Sequence, residues 1–411
     1  MATQSIEGRV SGARIGWVVA LIALSVLLNY VDRGAIGVAA PLMKDELQLS
    51  ATGFGIAVSA FFWVYAPACL FVGWLCDRFC VYRVFAIGVA IWAISTALTG
   101  FVGGLASLIL LRLFLGLGES IAFPGSSKIF AAEVPVERRG IANASVSAAI
   151  AFGPAVGVLF GGAILGEWGW RAVFWIFGLG TLLWLIPWQI AAAPLRAKSI
   201  AAPAAERVPM TRLLRLPTLW RVGVAHFLSN YGFYFLLAWL PLYLVKTAGY
   251  TIAEMTWLTT LSFTTQGVVA LAGGWLSDRM VANGSDEGEL RRRLMIGGQI
   301  AIAAAIAGIG ASDSIAPLAA WLALAGFGAG LIATNLFAIG QIFAGPRAAG
   351  SWIGMQNALG NVSGIIGPIA TGLIVDYLGG YTYAFASAAI LSALGALLWW
   401  KFIPAIRPVT L

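Results

Sequence analysis

A succession of apolar runs, each about twenty residues long and separated by short polar turns, constrains this chain more than any other feature. A helix rises about 1.5 Å per residue, so twenty apolar residues cover the ~30 Å hydrocarbon core of a bilayer. Twelve such runs are read, at 16–40, 54–76, 83–102, 105–130, 140–165, 171–192, 219–245, 254–278, 292–312, 316–341, 349–375 and 381–402. Hydrocarbon offers a backbone amide no partner, so each run must close its own hydrogen bonds as a helix. The expected fold class is an all-α membrane protein with twelve transmembrane helices. Only 10% of the 411 residues are charged and 60% are hydrophobic, against about 25% charged in a soluble domain. No stretch is polar enough to build a separate water-facing domain. The first run is too long for a signal-peptide core and lacks a small-residue cleavage site.

The formal charge of +8 does not point to nucleic acid, because the basic residues gather in the turns on one side of the runs. Lys44, Arg171 and Lys246 fall on the other side, and Arg33 and Arg112 lie within runs. The positive-inside rule then places both termini in the cytoplasm. The expected location is a bacterial cytoplasmic membrane, with the lipid bilayer as surroundings. From Pro194 to Pro217 the apolar pattern breaks, and Arg196, Lys198, Glu206, Arg207, Arg212 and Arg215 accumulate. This reads as a cytoplasmic linker, with a short amphipathic helix expected near Met210–Leu216. It divides the chain into bundles at 1–193 and 218–411.

Internal repetition supports the division. Gly73-Trp74-Leu75-Cys76-Asp77-Arg78 returns as Gly274-Trp275-Leu276-Ser277-Asp278-Arg279, after the second run of each half. Asn143 with Gly153-Pro154 returns as Asn357 with Gly367-Pro368, in the fifth. Two similar six-helix bundles put a binding site at their interface, near the midplane.

Two runs carry charge where hydrocarbon is expected: Asp32-Arg33 in the first, and Arg112 with Glu119 in the fourth. A charge at the bilayer centre costs at least about 2.5–3.5 kcal/mol, so such residues persist where they face a polar cavity. Two cations offer a site to an anion, and two acids offer places for a proton, which points to a transporter. Arg112 and Glu119 stand two turns apart on one helix face, about 10 Å along the axis. Arg112 can grip a carboxylate in bidentate fashion. Asp32 and Arg33 point about 100° apart, so one can face the cavity while the other faces a neighbouring helix.

The Gly-x-Leu-x-Asp-Arg turns, the twelve runs and the basic linker resemble the major facilitator superfamily over essentially the whole chain. Asn29-Tyr30-Val31-Asp32-Arg33, Arg112-x-x-x-Gly116-x-Gly118-Glu119 with Phe123-Pro124, and Tyr231-Gly232-Phe233-Tyr234 with Trp239-Leu240-Pro241-x-Tyr243-Leu244 resemble its anion:cation symporters. That family includes bacterial sugar-acid importers and the vesicular glutamate and sialic-acid transporters. The resemblance implies proton-coupled uptake of a small organic anion, a hexonate, hexuronate or aldarate, by rocking the halves around a central cavity. Arg33 and Arg112 are then the anion grip, and Glu119 and Asp32 the proton carriers. Tyr65 matches a substrate-contacting aromatic of sugar-acid members.

In the second half, whose runs carry charge only near their ends, Tyr234, Trp239, Asn335, Gln356, Asn357 and Asn361 are candidate polar or aromatic walls, with Tyr231 and Ser363 beside them. Interhelical hydrogen bonding is an equally good reading of any one of these amides; Asn361 is the preferred individual choice. His226 is expected to make an interfacial hydrogen bond. Asp77-Arg78 and Asp278-Arg279 are expected to latch the cytoplasmic side in the outward-open state, although Cys80-Val81-Tyr82-Arg83 lacks the glycine and one basic residue usual in the family. Cys69, Cys76 and Cys80 read as small apolar packing, not a metal pair. No cofactor is implied beyond the proton as coupling ion, no nucleotide-binding loop or nucleophile–base pair suggests an enzyme, and a monomer is expected. An exporter or exchanger of organic acids, or a receptor that binds the anion without moving it, are the alternatives.

Overall fold

The computed structural model describes residues 12–196 and 210–409, so most of the 194–217 linker lies outside the described residues. The described chain is helical: α1 (Gly12–Glu46), α2 (Ala51–Arg78), α3 (Val81–Thr99), α4 (Leu105–Glu119), α5 (Ala122–Glu133), α6 (Val136–Arg196), α7 (Met210–Leu214), α8 (Pro217–Lys246), α9 (Ile252–Ala282), α10 (Glu287–Gly310), α11 (Ile315–Tyr377) and α12 (Tyr381–Lys401). The short α7 stands where an amphipathic helix is expected.

These twelve elements are not one-to-one with the twelve apolar runs. α6 holds two spans joined at Gly169 (φ 76°), and α11 holds two joined at Gly345 (φ 62°). A positive φ is open to glycine without a Cβ penalty, so each span can follow the last with no loop between. The fourth run behaves oppositely. It breaks at Ser120-Ile121 into α4 and α5, directly after Glu119. Pro124 has no N–H to give the Ser120 carbonyl and loosens the turn there. That carbonyl instead meets the Cys69 thiol at 3.9 Å.

Side chains close the exposed helix starts. Ser50 accepts from the Gly53 N–H at 2.9 Å, Asp286 accepts from Glu289 N–H at 2.7 Å, and Thr251 with Glu254 forms a reciprocal capping box. Indole N–H groups buried in the first half find carbonyls: Trp184 donates to Leu21 at 2.8 Å and Trp188 to Tyr82 at 3.1 Å. Those two rings stack at 4.9 Å.

The halves touch through α1–α8, α2–α11 and α6–α9, and the close contacts lie at the end where α1 stops and α2 begins. Asp376 of α11 accepts from the backbone N–H groups of Ala51 (3.0 Å) and Thr52 (2.7 Å). Lys246 pairs with Asp45, and Phe54 meets Trp239 edge-on at 5.2 Å. The Ser59 hydroxyl donates to the Ile365 carbonyl at 2.8 Å. Backbones approach so closely that a Cβ on Gly37 would stand 2.2 Å from the Leu237 oxygen, and one on Gly55 2.2 Å from that of Pro368.

At the opposite end the expected latch residues stay within their own halves. Arg78 lies over Trp74 at 5.8 Å and Arg279 over Trp275 at 5.4 Å. Asp278, 77% exposed, reaches Arg291 of its own half at 3.5 Å. The side chain of Asp77 lies outside the described residues. The halves are thus in close contact across the α1–α2 end, while at the end that bears the termini the described contacts of Arg78, Asp278 and Arg279 lie within their own halves.

Candidate functional site

The site forms where α1, α2 and the α4–α5 break converge. Arg33 donates from Nε to Oε2 of Glu119 at 2.8 Å; its side chain is 8% exposed and that of Glu119 is fully buried. The guanidinium sits among three rings, 4.6 Å from the Tyr65 centroid, 5.0 Å from Tyr30 and 5.1 Å from Phe61. Tyr65 in turn stacks on Phe61 at 5.0 Å. This aromatic cup delocalises the charge of Arg33 by cation–π attraction and holds its plane fixed.

The expected Arg112–Glu119 face is divided differently. Glu119 engages Arg33 of another helix, whereas Arg112 is buried with Nε unpartnered and forms no ion pair among the described residues. Asp32 points away from Arg33, as the helix angle requires. It accepts from Trp92 Nε1 at 3.0 Å and from Thr96 at 3.4 Å, both on α3. Its Oδ1 is buried without a partner. The two acids therefore occupy separate places, Glu119 beside the arginine and Asp32 inside the first bundle.

Unmet hydrogen-bonding capacity concentrates here. Arg33 Nη2, Glu119 Oε1 and both amide atoms of Asn29 are buried with no partner. Buried polar groups are nearly always satisfied, so four such atoms in neighbouring side chains set this place apart from the surrounding core.

An aromatic path joins this cluster to the second half. Phe62 lies 6.4 Å from Tyr65 and 4.7 Å from Tyr234. Tyr234 donates to Asn361 Oδ1 at 2.7 Å, and Asn361 Nδ2 donates to the Asn357 carbonyl at 2.8 Å. Tyr234, Asn361 and Asn357 thus stand across the interface from Arg33.

The remaining second-half candidates lie elsewhere. Gln356 accepts from Trp352 and donates to the Leu336 carbonyl, each at 3.2 Å, tying together the limbs of α11. Asn335 accepts from Arg291 at 3.2 Å, in the cluster that includes Asp278. Trp239 packs in the closed end between Phe54 and Tyr381. Tyr231 is buried beside Gly367, and Ser363 bonds back to Gly360 within α11. His226 faces the protein interior. It is buried in the second half against Phe337 and Gly360.

Two residues absent from the sequence candidates matter to this arrangement. Asn29 lies one turn before Arg33, so helical spacing from a buried arginine could have found it. Asp376 carried no local signal of its partner, since the cap it makes belongs to the other half. Among the described residues no group of three or more His, Cys, Asp or Glu could hold a metal, and no two of the three cysteines form a disulfide.

Comparison with known proteins places this geometry in context. The sequence profile described as Major Facilitator Superfamily matches residues 22–255 and 244–410. Similar proteins include the hexuronate transporter of Bacillus subtilis, 27% identical over 95% of this chain and 94% of that protein. The probable sulfoacetate transporter SauU of Cupriavidus necator is 28% identical over 92% of each. The chloroplastic ascorbate transporter of Arabidopsis thaliana is 28% identical over 93% of this chain and 74% of that one. Among solved structures, an inward-facing, occupied bacterial homolog of the human lysosomal transporter Spinster superposes with a TM-score of 0.76 at 18% identity, covering 95% of this chain and 97% of its own.

Proposed function

The chain belongs to the Major Facilitator Superfamily and is a multi-pass membrane transporter, not an enzyme, and on that premise we propose that it carries a small organic anion inward together with protons. The anion class is a sugar acid (hexonate, hexuronate or aldarate), and the membrane is the bacterial cytoplasmic one with both termini inside. The relatives named for hexuronate, sulfoacetate and ascorbate transport support the choice of a small carboxylate or sulfonate.

The Arg33–Glu119 contact carries the reading. Arg33, Arg112, Asp32 and Glu119 sum to zero charge while both acids are ionised. A proton on Glu119 breaks its charge-assisted bond and frees Arg33 to take a carboxylate, with Arg112 available as a second cation. Anion and proton therefore favour each other in the same site. Removal of water from around the carboxylate makes the neutral acid the cheaper form to carry across. Tyr65 supplies a hydroxyl to the acid end, and Tyr234 with Asn361 can exchange their mutual bond for bonds to the hydroxylated tail. With the anion and a proton bound, the halves close around the load, and the terminus-bearing end opens as the α1–α2 end seals. Each elementary charge moved against the membrane potential costs about 2.3 kcal/mol per 100 mV, so at least one proton must accompany an anion entering a negative interior.

A thermal-shift series of the purified protein against hexonates, hexuronates, aldarates, sulfoacetate and neutral hexoses tests the anion assignment. A ligand raises the melting temperature in proportion to occupancy. Shifts are expected with the acids and none with the hexoses; equal shifts with neutral sugars would overturn the role given to Arg33 and Arg112.

A further inference from the structure

Asn29 is fully buried in α1, and neither its Nδ2 nor its Oδ1 has a hydrogen-bond partner. Leaving a buried polar atom unsatisfied is costly, so an amide with both atoms orphaned calls for a state in which they are used. Its place in the helix identifies that state. Asn29 precedes Arg33 by four residues, hence lies on the same face of α1. The Glu119 carboxyl that meets Arg33 through Oε2 holds its Oε1 buried and unpartnered beside this amide.

We infer that Asn29 is the positioning residue that holds the Glu119 carboxyl in both protonation states. An amide is both donor and acceptor. To the ionised carboxylate it can offer Nδ2–H. Once Glu119 takes a proton and releases Arg33, a turn of the same amide offers Oδ1 to the new O–H. The acid thus stays in register while its arginine leaves for the substrate. No water need follow the proton into the site. A carboxylate or a lysine at position 29 could serve only one of the two states, and a hydrocarbon neither. Around Glu119 the other charged or titratable groups are Tyr30, Asp32 and Arg33 from α1, Cys69 from α2, Arg112 from α4 itself and Tyr234 from α8. Of these, Arg33 and Arg112 only donate, so neither can receive the proton of the neutral acid.

The inference rests on the reading of Glu119 as a proton carrier, and infrared difference spectroscopy separates the two. The carbonyl stretch of protonated Glu119 is followed through a pH titration of the purified full chain and assigned by its loss in Glu119→Gln. Asn29→Leu, which replaces two orphaned polar atoms with apolar volume, and Asn29→Ser are measured beside it. The expected result is a Glu119 band in wild type that moves to higher wavenumber in Asn29→Leu, toward an unbonded acid, with its titration midpoint displaced by about one pH unit or more. In Asn29→Ser, whose hydroxyl is both donor and acceptor, a smaller displacement is expected. A band and midpoint unchanged in Asn29→Leu would overturn the assignment while leaving Glu119 as the carrier. A wild-type protein with no Glu119 band at any pH would overturn the proton reading itself. Failure of both variants to fold would make Asn29 a purely structural residue and end the proposal.

Discussion

Glu119 meets Arg33 across 86 residues of sequence at 2.8 Å, while Arg112, on the same helix as Glu119, forms no ion pair among the described residues. In the proposed mechanism the acid holds the cation that the substrate needs. Competition for one guanidinium would then couple proton to anion without direct contact between them, because a proton on Glu119 releases Arg33 and an anion on Arg33 releases Glu119.

Glu119→Gln keeps the side-chain volume and removes both the charge and the proton. Counterflow exchange of labelled anion between equal pools is expected to persist, while accumulation driven by an imposed pH gradient disappears. Wild-type uptake is expected to rise as the outside is acidified, and uptake by Glu119→Gln to be flat over the same range.

Arg112→Gln is expected to abolish uptake and lower anion affinity at least tenfold, about 1.4 kcal/mol, read from the concentration dependence of the thermal shift. The melting temperature without ligand is expected to hold or rise, since burial of the cation costs desolvation energy that the nearby Glu119 and Asp32 offset only in part. A protein that loses stability along with binding would instead give Arg112 a packing role.

Asp376 closes the α1–α2 end by capping the first turn of α2 across the halves. A carboxylate at a helix N-terminus contributes roughly 0.3–1 kcal/mol through the helix dipole, so Asp376→Asn is expected to shift the balance several-fold toward opening at that end. Spin labels at Gln48 and Thr247, both exposed beside the closure, report it as a longer distance population in the variant than in the parent.

Gly55→Val places a branched side chain where a single Cβ would already stand 2.2 Å from the Pro368 carbonyl oxygen. Neither backbone can yield without unseating α2 from α11. This variant is expected to bind the anion from the α1–α2 side, to lose net transport, and to give a distance between the same two labels longer than that of Asp376→Asn.

The twelve spans were legible because lipid leaves a helix no alternative, and the functional helices because charge inside hydrocarbon needs a reason. Arg33 and Glu119 could be singled out for that reason, Tyr65 through the family resemblance, and Tyr234 and Asn361 as polar or aromatic walls of the second half. The pairing was not legible. Spacing along α4 relates Arg112 to Glu119, but the break that follows Glu119 and the packing of α1 against α5 decide which arginine it meets. Gln356, Asn335 and Trp239 look alike in sequence to Asn361 and Tyr234. Only the three-dimensional neighbours separate the amides that tie helices together from those facing Arg33. The role of Asp376 depends on a contact between α11 and α2, more than 300 residues apart, which no local pattern encodes.

The central claim is that an anion and a proton enter through the Arg33–Glu119 pair together. Uptake of labelled glucuronate into proteoliposomes, with an inward pH gradient imposed and then collapsed by a protonophore, tests it most directly. The account predicts accumulation above equilibrium only while the gradient stands, acidification of the lumen with each anion, and neither effect in Glu119→Gln. Accumulation that survives collapse of the gradient, or that Glu119→Gln retains in full, would contradict it.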